Sequence, residues 1–138
     1  MKDDMDSDTR LREAIAAARD FIRDRQRGDW HSVASVVLTA SGRRYIGMNL
    51  DSTLPRASIC AEPVAIGMAK AADPDDVVIF CGAVNRRGEV IPPCGSCREL
   101  MLDYAAGALV AVPDGEDMAF RPLSDLIPTA YKDGKRKP

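Results

Sequence analysis

Apolar residues near the start of the chain recur at the spacing of one helical face. The face predicts a helix over residues 9–27, because side chains three and four positions apart lie together on a helix. Asp8 precedes this segment and is a residue type that commonly caps a helix. Residues 1–7 are polar, so we expect them to fray. The residues of the apolar face are Leu11, Ile15, Ala18 and Ile22.

The rest of the chain alternates between short apolar runs and further helical segments. Residues 32–39 and 45–48 flank turn residues and predict a β-hairpin. A continuous apolar run at 77–81 is typical of a central strand that is covered on both faces. Such alternation predicts one domain with helices on both faces of one sheet, followed by a polar and flexible tail at 132–138. The remaining predicted elements are strands at 109–112 and near 118–120 and helices at 61–72, 95–104 and 123–126.

Composition narrows the possible partners. The 138 residues are 46% hydrophobic and 29% charged, which suits one globular domain, and the net charge of −2 lacks the basic excess of most nucleic-acid binders. No apolar run approaches the roughly 20 residues of a membrane span, and the acidic start does not resemble a secretory signal. We therefore expect a small-molecule substrate, no nucleic-acid or membrane partner, and a reducing, cytoplasmic compartment in which four cysteines stay free.

Three of the cysteines stand in two clusters that suit a metal. Cys60-Ala61-Glu62 is the first, and Pro93-Cys94-Gly95-Ser96-Cys97 is the second. Cys94 and Cys97 are three apart at a predicted helix start, and Cys60 supplies a third thiolate, a ligand set typical of zinc. Three protein ligands leave one position for water, which distinguishes a catalytic zinc from a structural one.

Glu62 lies two residues beyond one predicted ligand and is predicted to carry protons at the site. Arg98, on the helical face of Cys94, could add a positive charge beside the ligands. A Cys-x-x-Cys pair alone is also typical of redox pairs and zinc ribbons, and Glu62 could simply be an acid at a helix start. We expect Cys81, inside an apolar strand, to be a buried hydrophobic residue.

The two clusters, in this order, resemble the zinc deaminase signature. From about Leu11 to Tyr131 the sequence resembles the cytidine deaminase superfamily, and within it the blasticidin-S deaminases. The resemblance implies a three-layer α/β/α sandwich around a five-stranded mixed sheet, assembled as a homotetramer. It also implies Zn²⁺ as the cofactor and hydrolytic deamination of a cytosine nucleoside or nucleoside analogue as the reaction.

Matches outside the clusters imply substrate-binding residues. His31-Ser32-Val33-Ala34-Ser35 and Arg87-Gly88 resemble segments of blasticidin-S deaminases, as does the C-terminal Leu126-Ile127-Pro128-Thr129-Ala130-Tyr131. Ser32, Arg87 and Tyr131 are thereby implied to contact substrate, and His31 stands where cytidine deaminases have Phe. Gly47-Met48-Asn49-Leu50-Asp51 resembles the segment with which cytidine deaminases hold a ribose hydroxyl, with Asp51 replacing Glu. Arg87 and Tyr131 could instead be surface residues, and Asn49 and Asp51 could cap a turn.

In the reaction that the resemblance implies, Glu62 takes a proton from the attacking water and passes it to ring N3. The oxygen adds at C4, and Glu62 then protonates the amine, which leaves as ammonia. No redox or organic cofactor is expected. Two alternatives remain open at this stage: a polynucleotide deaminase with the same chemistry, and a zinc-stabilised binding module without turnover.

Overall fold

The computed structural model describes the backbone of residues 2–28, 30–132 and 136, and the side chains from residue 6 onward within those ranges. The helices are α1 Lys2–Arg25, α2 Ala61–Ala72, α3 Gly95–Tyr104 and α4 Leu123–Leu126, with a 3₁₀ turn at Pro55–Ala57. The strands are β1 Val33–Thr39, β2 Arg44–Met48, β3 Val78–Asn85, β4 Val90–Ile91, β5 Leu109–Asp114 and β6 Asp117–Pro122.

The strands form one mixed sheet in the order β2-β1-β3-β5-β6. Among the strands that the structure describes, only the β3–β5 pairing is parallel, and the other pairs, including the short β4 on β3, are antiparallel. The five-stranded mixed sheet implied by the resemblance is confirmed, with β4 as an additional strand that the sequence pattern did not predict. Two residues are too few for a visible alternation of apolar and polar positions.

Helices cover both faces of the sheet, because adjacent residues of each strand point to opposite sides. Val36 of β1 packs with Ile15 and Ile22 of α1, whereas the next residue, Val37, packs with α2 and α3 on the other face. Phe80 and Phe120 meet edge to face in the α1 layer, with ring centroids 5.8 Å apart. The three-layer arrangement is therefore confirmed.

The ends of α1 differ from the prediction. The helix begins at Lys2 and ends at Arg25, so the expected fraying of residues 2–7 and the capping role of Asp8 are wrong. Asp8 instead lies within the helix and accepts a hydrogen bond from Nε of Arg12 at 2.8 Å. The apolar periodicity begins at Leu11 and therefore contains no signal for the earlier start of the helix.

At the C-terminal end, the predicted flexible tail includes Arg136, whose side chain is largely covered. Its guanidinium binds the carboxylates of Glu99 and Asp103 on α3, with the shortest distances 3.0 and 2.9 Å. Residues 133–135 and 137–138 of the predicted tail lie outside the described residues.

Helices α2, α3 and α4 have the predicted bounds, whereas β3 runs four residues beyond the predicted end at 81. The extension includes Gly82 and Ala83, residues without strong strand propensity that pair with β1. Within the described part of the chain, no helix is both long and apolar enough to cross a bilayer.

Gly47 lets α2 lie very close to β2. A Cβ atom at this position would come within 2.7 Å of the backbone nitrogen of Ala65 and 2.8 Å of Cγ1 of Val64. Only a residue without a side chain permits this approach. The contact sets the height of α2 above the sheet and, with it, the position of Cys60 and Glu62 at the start of the helix.

Candidate metal centre and active site

The three clustered cysteines meet where two helices begin. Cys60 is the N-cap of α2, Cys94 is the N-cap of α3, and Cys97 lies in the first turn of α3. The Sγ–Sγ distance is 3.8 Å between Cys60 and Cys94 and 3.6 Å between Cys94 and Cys97. All three Sγ atoms lie within 4.8 Å of one another, so they could hold one metal ion.

The spacing of these sulfur atoms fits zinc. Tetrahedral zinc with Zn–S bonds of about 2.3 Å places its sulfur ligands about 3.8 Å apart. The two Sγ–Sγ contacts of 3.8 and 3.6 Å agree with this geometry. Two helix N-termini also face the cluster, and their free N–H groups partly offset the negative charge of thiolates.

The thiols differ in their tendency to ionise. Burial, followed by the negative charge of Glu62, raises the pKa of the Cys97 thiol far above its usual range. Burial is also the main reason that the pKa of Cys60 is raised. At Cys94 burial opposes ionisation, but the backbone N–H groups of Cys97 and Ser96 help to outweigh it and lower the pKa. Of these three thiols, Cys94 alone has a lowered pKa. Cysteine binds a metal as the thiolate, so a bound dication would favour the ionised form of the other two.

Glu62 is a buried carboxyl group next to the cysteine cluster. It lies in the first turn of α2, two residues after Cys60, and only 5% of its surface is exposed. Burial raises its pKa, and its own backbone N–H group partly opposes the shift. A carboxyl group with a raised pKa exchanges protons more readily near neutral pH, which suits a general acid and base.

Cys94, Cys60 and Glu62 line one cavity of about 250 Å³. Its wall is predominantly apolar, as is usual for small-molecule sites that fix a ring and orient it with a few polar groups. The lining residues are Val33, Asn49, Leu50, Ser58, Ile59, Cys60, Ala61, Glu62, Ile91, Pro92 and Cys94.

Asn49, one of the predicted substrate-binding residues, lines the cavity, and its amide also binds the backbone at the start of β1. The Oδ1 atom accepts hydrogen bonds from the backbone N–H groups of Ser32 and Val33, at 2.9 and 3.0 Å. The Nδ1 atom of His31 lies 3.0 Å from the carbonyl oxygen of Asn49, so this ring nitrogen carries the proton. Ser32 and His31 thus stand beside the cavity wall at Val33 but do not line it.

Asp51 lies just outside the lining. Its Oδ1 atom accepts a hydrogen bond from the hydroxyl of Ser58 at 2.8 Å and another from the backbone N–H of Ser52 at 3.0 Å. Ser58 itself lines the cavity. Asp51 is therefore connected to the cavity through Ser58.

Arg87 and Tyr131 lie apart from this cavity in the single chain. Arg87 follows β3, and its guanidinium contacts the carboxylate of Glu89 at 3.0 Å. It lines a different cleft, together with Arg19 and Asp117. Tyr131 is 73% exposed, and its carbonyl oxygen accepts a hydrogen bond from Arg136 at 2.7 Å.

Arg98 supports the loop that carries Cys94. Its Nε atom donates to the carbonyl oxygen of Pro93 at 2.8 Å, and a terminal nitrogen donates to that of Leu126, also at 2.8 Å. The guanidinium thus joins the start of α3 to the end of α4. It contacts the residue before Cys94 rather than a thiol.

Cys81 is buried on β3 and lies outside the group of three thiols. Burial is the main cause that raises its pKa to about 12, so this thiol remains protonated. Its Sγ atom lies 3.6 Å from the hydroxyl of Ser35. The predicted role of Cys81 as a small buried residue agrees with this environment.

Several cavity residues were not among the predicted site residues, notably Ser58, Ile91 and Pro92. Ile91 belongs to the unpredicted strand β4. Ser58 stands two positions before Cys60, and this proximity to a predicted ligand is its one signal in the sequence.

Comparison with known proteins places the chain in a family. A blasticidin-S deaminase from Bacillus cereus is 31% identical over 108 residues, which are 73% of this chain and 77% of that protein. The chain belongs to the cytidine deaminase superfamily. A second member, a cytidine deaminase from Mycobacterium tuberculosis, is 28% identical over 102 residues, 72% of each chain. No protein-family model matches the sequence.

Solved structures of superfamily members share the fold. The cytidine deaminase from Burkholderia pseudomallei superposes with a TM-score of 0.70 and 26% identity, covering 88% of this chain and 96% of its own. A mutant cytidine deaminase from M. tuberculosis superposes with a TM-score of 0.74 and 24% identity, covering 87% of this chain and 93% of its own. The superfamily resemblance and the α/β/α fold predicted with it are thus confirmed.

Proposed function

We propose that this protein is a zinc-dependent hydrolytic deaminase that converts a cytosine nucleoside or nucleoside analogue to its uracil form and ammonia. The observation that carries the proposal is that two members of the three-cysteine cluster, Cys60 and Cys94, line a single small cavity together with the buried carboxyl group of Glu62. A purely structural zinc site needs neither the carboxyl group nor the cavity. The names of the related proteins, blasticidin-S deaminase and cytidine deaminase, support the same reaction class.

Cys60, Cys94 and Cys97 are the proposed metal ligands. Their sulfur spacing and their place at two helix N-termini support this role. When bound, zinc would acidify a water molecule and so supply a nucleophile at neutral pH. Arg98, by holding the carbonyl of Pro93, keeps the Cys94 loop in place for coordination.

Glu62 is the proposed catalytic acid and base. It accepts the proton that the attacking water loses and delivers it to N3 of the ring. A C–O bond forms at C4, Glu62 carries a second proton from that oxygen to the exocyclic nitrogen, and the C–N bond breaks to release ammonia. Its burial supports the role, because a carboxyl group with a raised pKa can both take and return a proton.

Substrate-binding roles are proposed for Ser32, Asn49, Asp51, Arg87 and Tyr131. Asn49 lines the cavity, and Ser32 and Asp51 adjoin it. Since Arg87 and Tyr131 lie elsewhere on the single chain, their contacts with substrate require a second copy of the chain. Leu50 and Ile59 line the cavity and are exposed, which supports a subunit contact there, consistent with a homotetramer.

The proposed setting is the cytoplasm, because three thiol ligands stay available only where cysteines are kept reduced. The proposed partner is a small nucleoside rather than a nucleic acid or a membrane. The net charge of −2 supports this choice, since polynucleotide binders usually carry a basic surface.

The direct test is ammonia release by the zinc-loaded protein. The panel consists of cytidine, 2′-deoxycytidine, blasticidin S and a cytosine-containing single-stranded oligonucleotide. We expect ammonia from at least one free nucleoside compound and none from the oligonucleotide. Zinc-loaded, folded protein that releases ammonia from no compound would refute the proposal, whereas turnover of the oligonucleotide alone would assign a polynucleotide deaminase.

A further inference from the structure

One polar side chain of the cavity wall, that of Ser58, is hydrogen-bonded to Asp51. Ser58 lines the cavity, whereas Asp51, the residue predicted to hold a sugar hydroxyl, is not among the lining residues. The two side chains are joined by a hydrogen bond of 2.8 Å between Oγ of Ser58 and Oδ1 of Asp51. The Oδ1 atom of Asp51 is therefore already engaged by Ser58 and by the backbone N–H of Ser52.

The direction of this hydrogen bond determines what Ser58 can still do. An ionised carboxylate only accepts hydrogen bonds, so the hydroxyl of Ser58 must donate its hydrogen to Asp51. One lone pair of the same oxygen accepts from the backbone N–H of Ser52 at 3.0 Å. The second lone pair remains, and the carboxylate makes this oxygen a stronger acceptor by polarising the O–H bond. Ser58 therefore offers the cavity an acceptor and no donor.

The surrounding backbone holds Ser58 in place. Leu50 and Ile59 exchange two backbone hydrogen bonds of 2.8 Å each, which join the two segments that carry Asp51 and Ser58. The N–H group of Ser52 is shared between Oγ of Ser58 and Oδ1 of Asp51, both at 3.0 Å. Such a network orients an acceptor before a ligand arrives, which reduces the entropic cost of binding.

Asn49 offers the complementary donor on the same wall. Its Oδ1 atom is occupied by two backbone N–H groups, which identifies Nδ2 as the remaining polar atom. Nδ2 makes one long contact of 3.5 Å with the carbonyl oxygen of Trp30, so one of its two hydrogens has no acceptor among the described residues. Apart from cysteine thiols, Asn49 and Ser58 are the uncharged polar side chains in the lining. A donor and an acceptor together match a hydroxyl group, which both accepts and donates.

We propose that Ser58 accepts a hydrogen bond from a sugar hydroxyl of the substrate and that Asp51 is a positioning residue that acts through Ser58. This inference rests on the proposed nucleoside deaminase function and assigns a specificity role within the same cavity. Asp51 keeps the Ser58 hydroxyl turned away from the ligand and makes its oxygen a better acceptor. Ser58 thus contacts the sugar, and Oδ1 of Asp51 acts through Ser58.

The test compares kcat and KM for cytidine, 2′-deoxycytidine and 3′-deoxycytidine on zinc-loaded protein. We expect Ser58→Ala to raise KM for cytidine about tenfold with kcat nearly unchanged. The loss should vanish for the one deoxy analogue that lacks the recognised hydroxyl. Ser58→Thr, which keeps the hydroxyl, should restore KM. Ser52→Ala is the matched control, because Ser52 contacts Asp51 and Ser58 through its backbone.

A double-mutant cycle separates the indirect role of Asp51 from a direct one. Asp51→Ala should raise KM in the wild-type background but by less than about twofold in the Ser58→Ala background. A full additional loss in the double variant would show that Asp51 itself contacts the sugar. An equal loss on all three substrates after Ser58→Ala would show that the hydroxyl is not recognised there. Either result overturns the inference.

Calorimetric binding of uridine, the product form, distinguishes failure of the inference from failure of the proposed function. If uridine binds and Ser58→Ala weakens it about tenfold while no cytosine compound is turned over, the sugar contact stands and the deaminase proposal falls. Turnover with no dependence on Ser58 overturns the sugar contact alone. Absence of both turnover and binding in folded, zinc-loaded protein overturns both.

Discussion

The Sγ atoms of Cys60 and Cys94 lie 3.8 Å apart, although each belongs to the start of a different helix. Both residues are N-caps with extended backbone, so each sulfur stands where a helix presents its unpaired N–H groups. Cys97, one turn into α3, completes the triangle. The proposed metal centre thus depends on how two helices begin.

The first prediction concerns metal content. Zinc-loaded wild-type protein should hold about one zinc per chain, and Cys94→Ser should lose most of it, because two thiolates bind zinc far more weakly than three. Cys81→Ala is the control, since its buried thiol lies outside the cluster. Metal analysis by mass spectrometry after gel filtration gives the stoichiometry. Loss of zinc from Cys81→Ala but not from Cys94→Ser would contradict the ligand assignment.

The second prediction concerns proton transfer by Glu62. Glu62→Gln preserves the shape of the side chain but cannot carry a proton, so kcat should fall by about 10²–10⁴-fold or more. Zinc content and the far-ultraviolet circular dichroism spectrum should stay unchanged. Glu13→Gln, an exposed change on α1, should leave kcat unaffected. A Glu62→Gln variant with more than about a tenth of wild-type kcat would mean that another group carries the proton.

Elements with local signals were predictable from the sequence, and elements that depend on distant partners were not. Helices α2 and α3 start beside Cys60 and Cys94 and end at breaks in apolar periodicity, so their bounds matched. Strand β4 pairs with β3 across a turn and has only two residues, which is too short for a period.

The candidate site was likewise predictable where the signal is local in sequence and unpredictable where it depends on the fold. The three clustered cysteines and Glu62 could be predicted as site residues, because their spacing along the chain forms a recognisable motif. The partnership of Asp51 and Ser58 could not, because it depends on the path of the seven-residue segment between Asp51 and Ile59. Arg87 resembles a substrate-binding residue in sequence, yet its distance from the cavity depends on where the turn after β3 points.

The third prediction concerns acid stability through Asp76, which holds the turn between β1 and β2. Its carboxylate accepts hydrogen bonds from the hydroxyl of Ser41 at 2.5 Å and from the backbone N–H of Ser41 at 3.1 Å. The bond from the Ser41 hydroxyl is the largest cause that lowers the pKa of Asp76, and Thr39 adds to it. The ionised form is therefore favoured in the folded state.

A lowered pKa in the folded state stabilises the protein above the unfolded pKa of about 3.9, and this stabilisation disappears as the pH falls further. Asp76→Asn should thus reduce the free energy of unfolding at pH 7, with a deficit that shrinks below about pH 4. Urea denaturation between pH 3 and pH 7 measures the difference. Asp75→Asn, at an exposed neighbouring position, is the control. A deficit that is the same at every pH would contradict the assigned role of the carboxylate.

The last prediction uses two glycines to test how the packing of α2 controls the site. In Gly47→Ala, the new Cβ would meet the backbone nitrogen of Ala65 at 2.7 Å, and neither backbone can move freely. Overpacking of this kind should lower the free energy of unfolding by about 1–3 kcal/mol. It should also lower kcat/KM, because displacement of α2 moves Cys60 and Glu62.

Gly67→Ala is the matched control, since a Cβ there meets nothing within 4 Å. Because Ala favours the helix, this change should raise the free energy of unfolding by about 0.5–1 kcal/mol. Chemical denaturation and steady-state kinetics measure both effects. If Gly47→Ala proved as stable and active as Gly67→Ala, the close approach of β2 to α2 would not control the position of the catalytic residues.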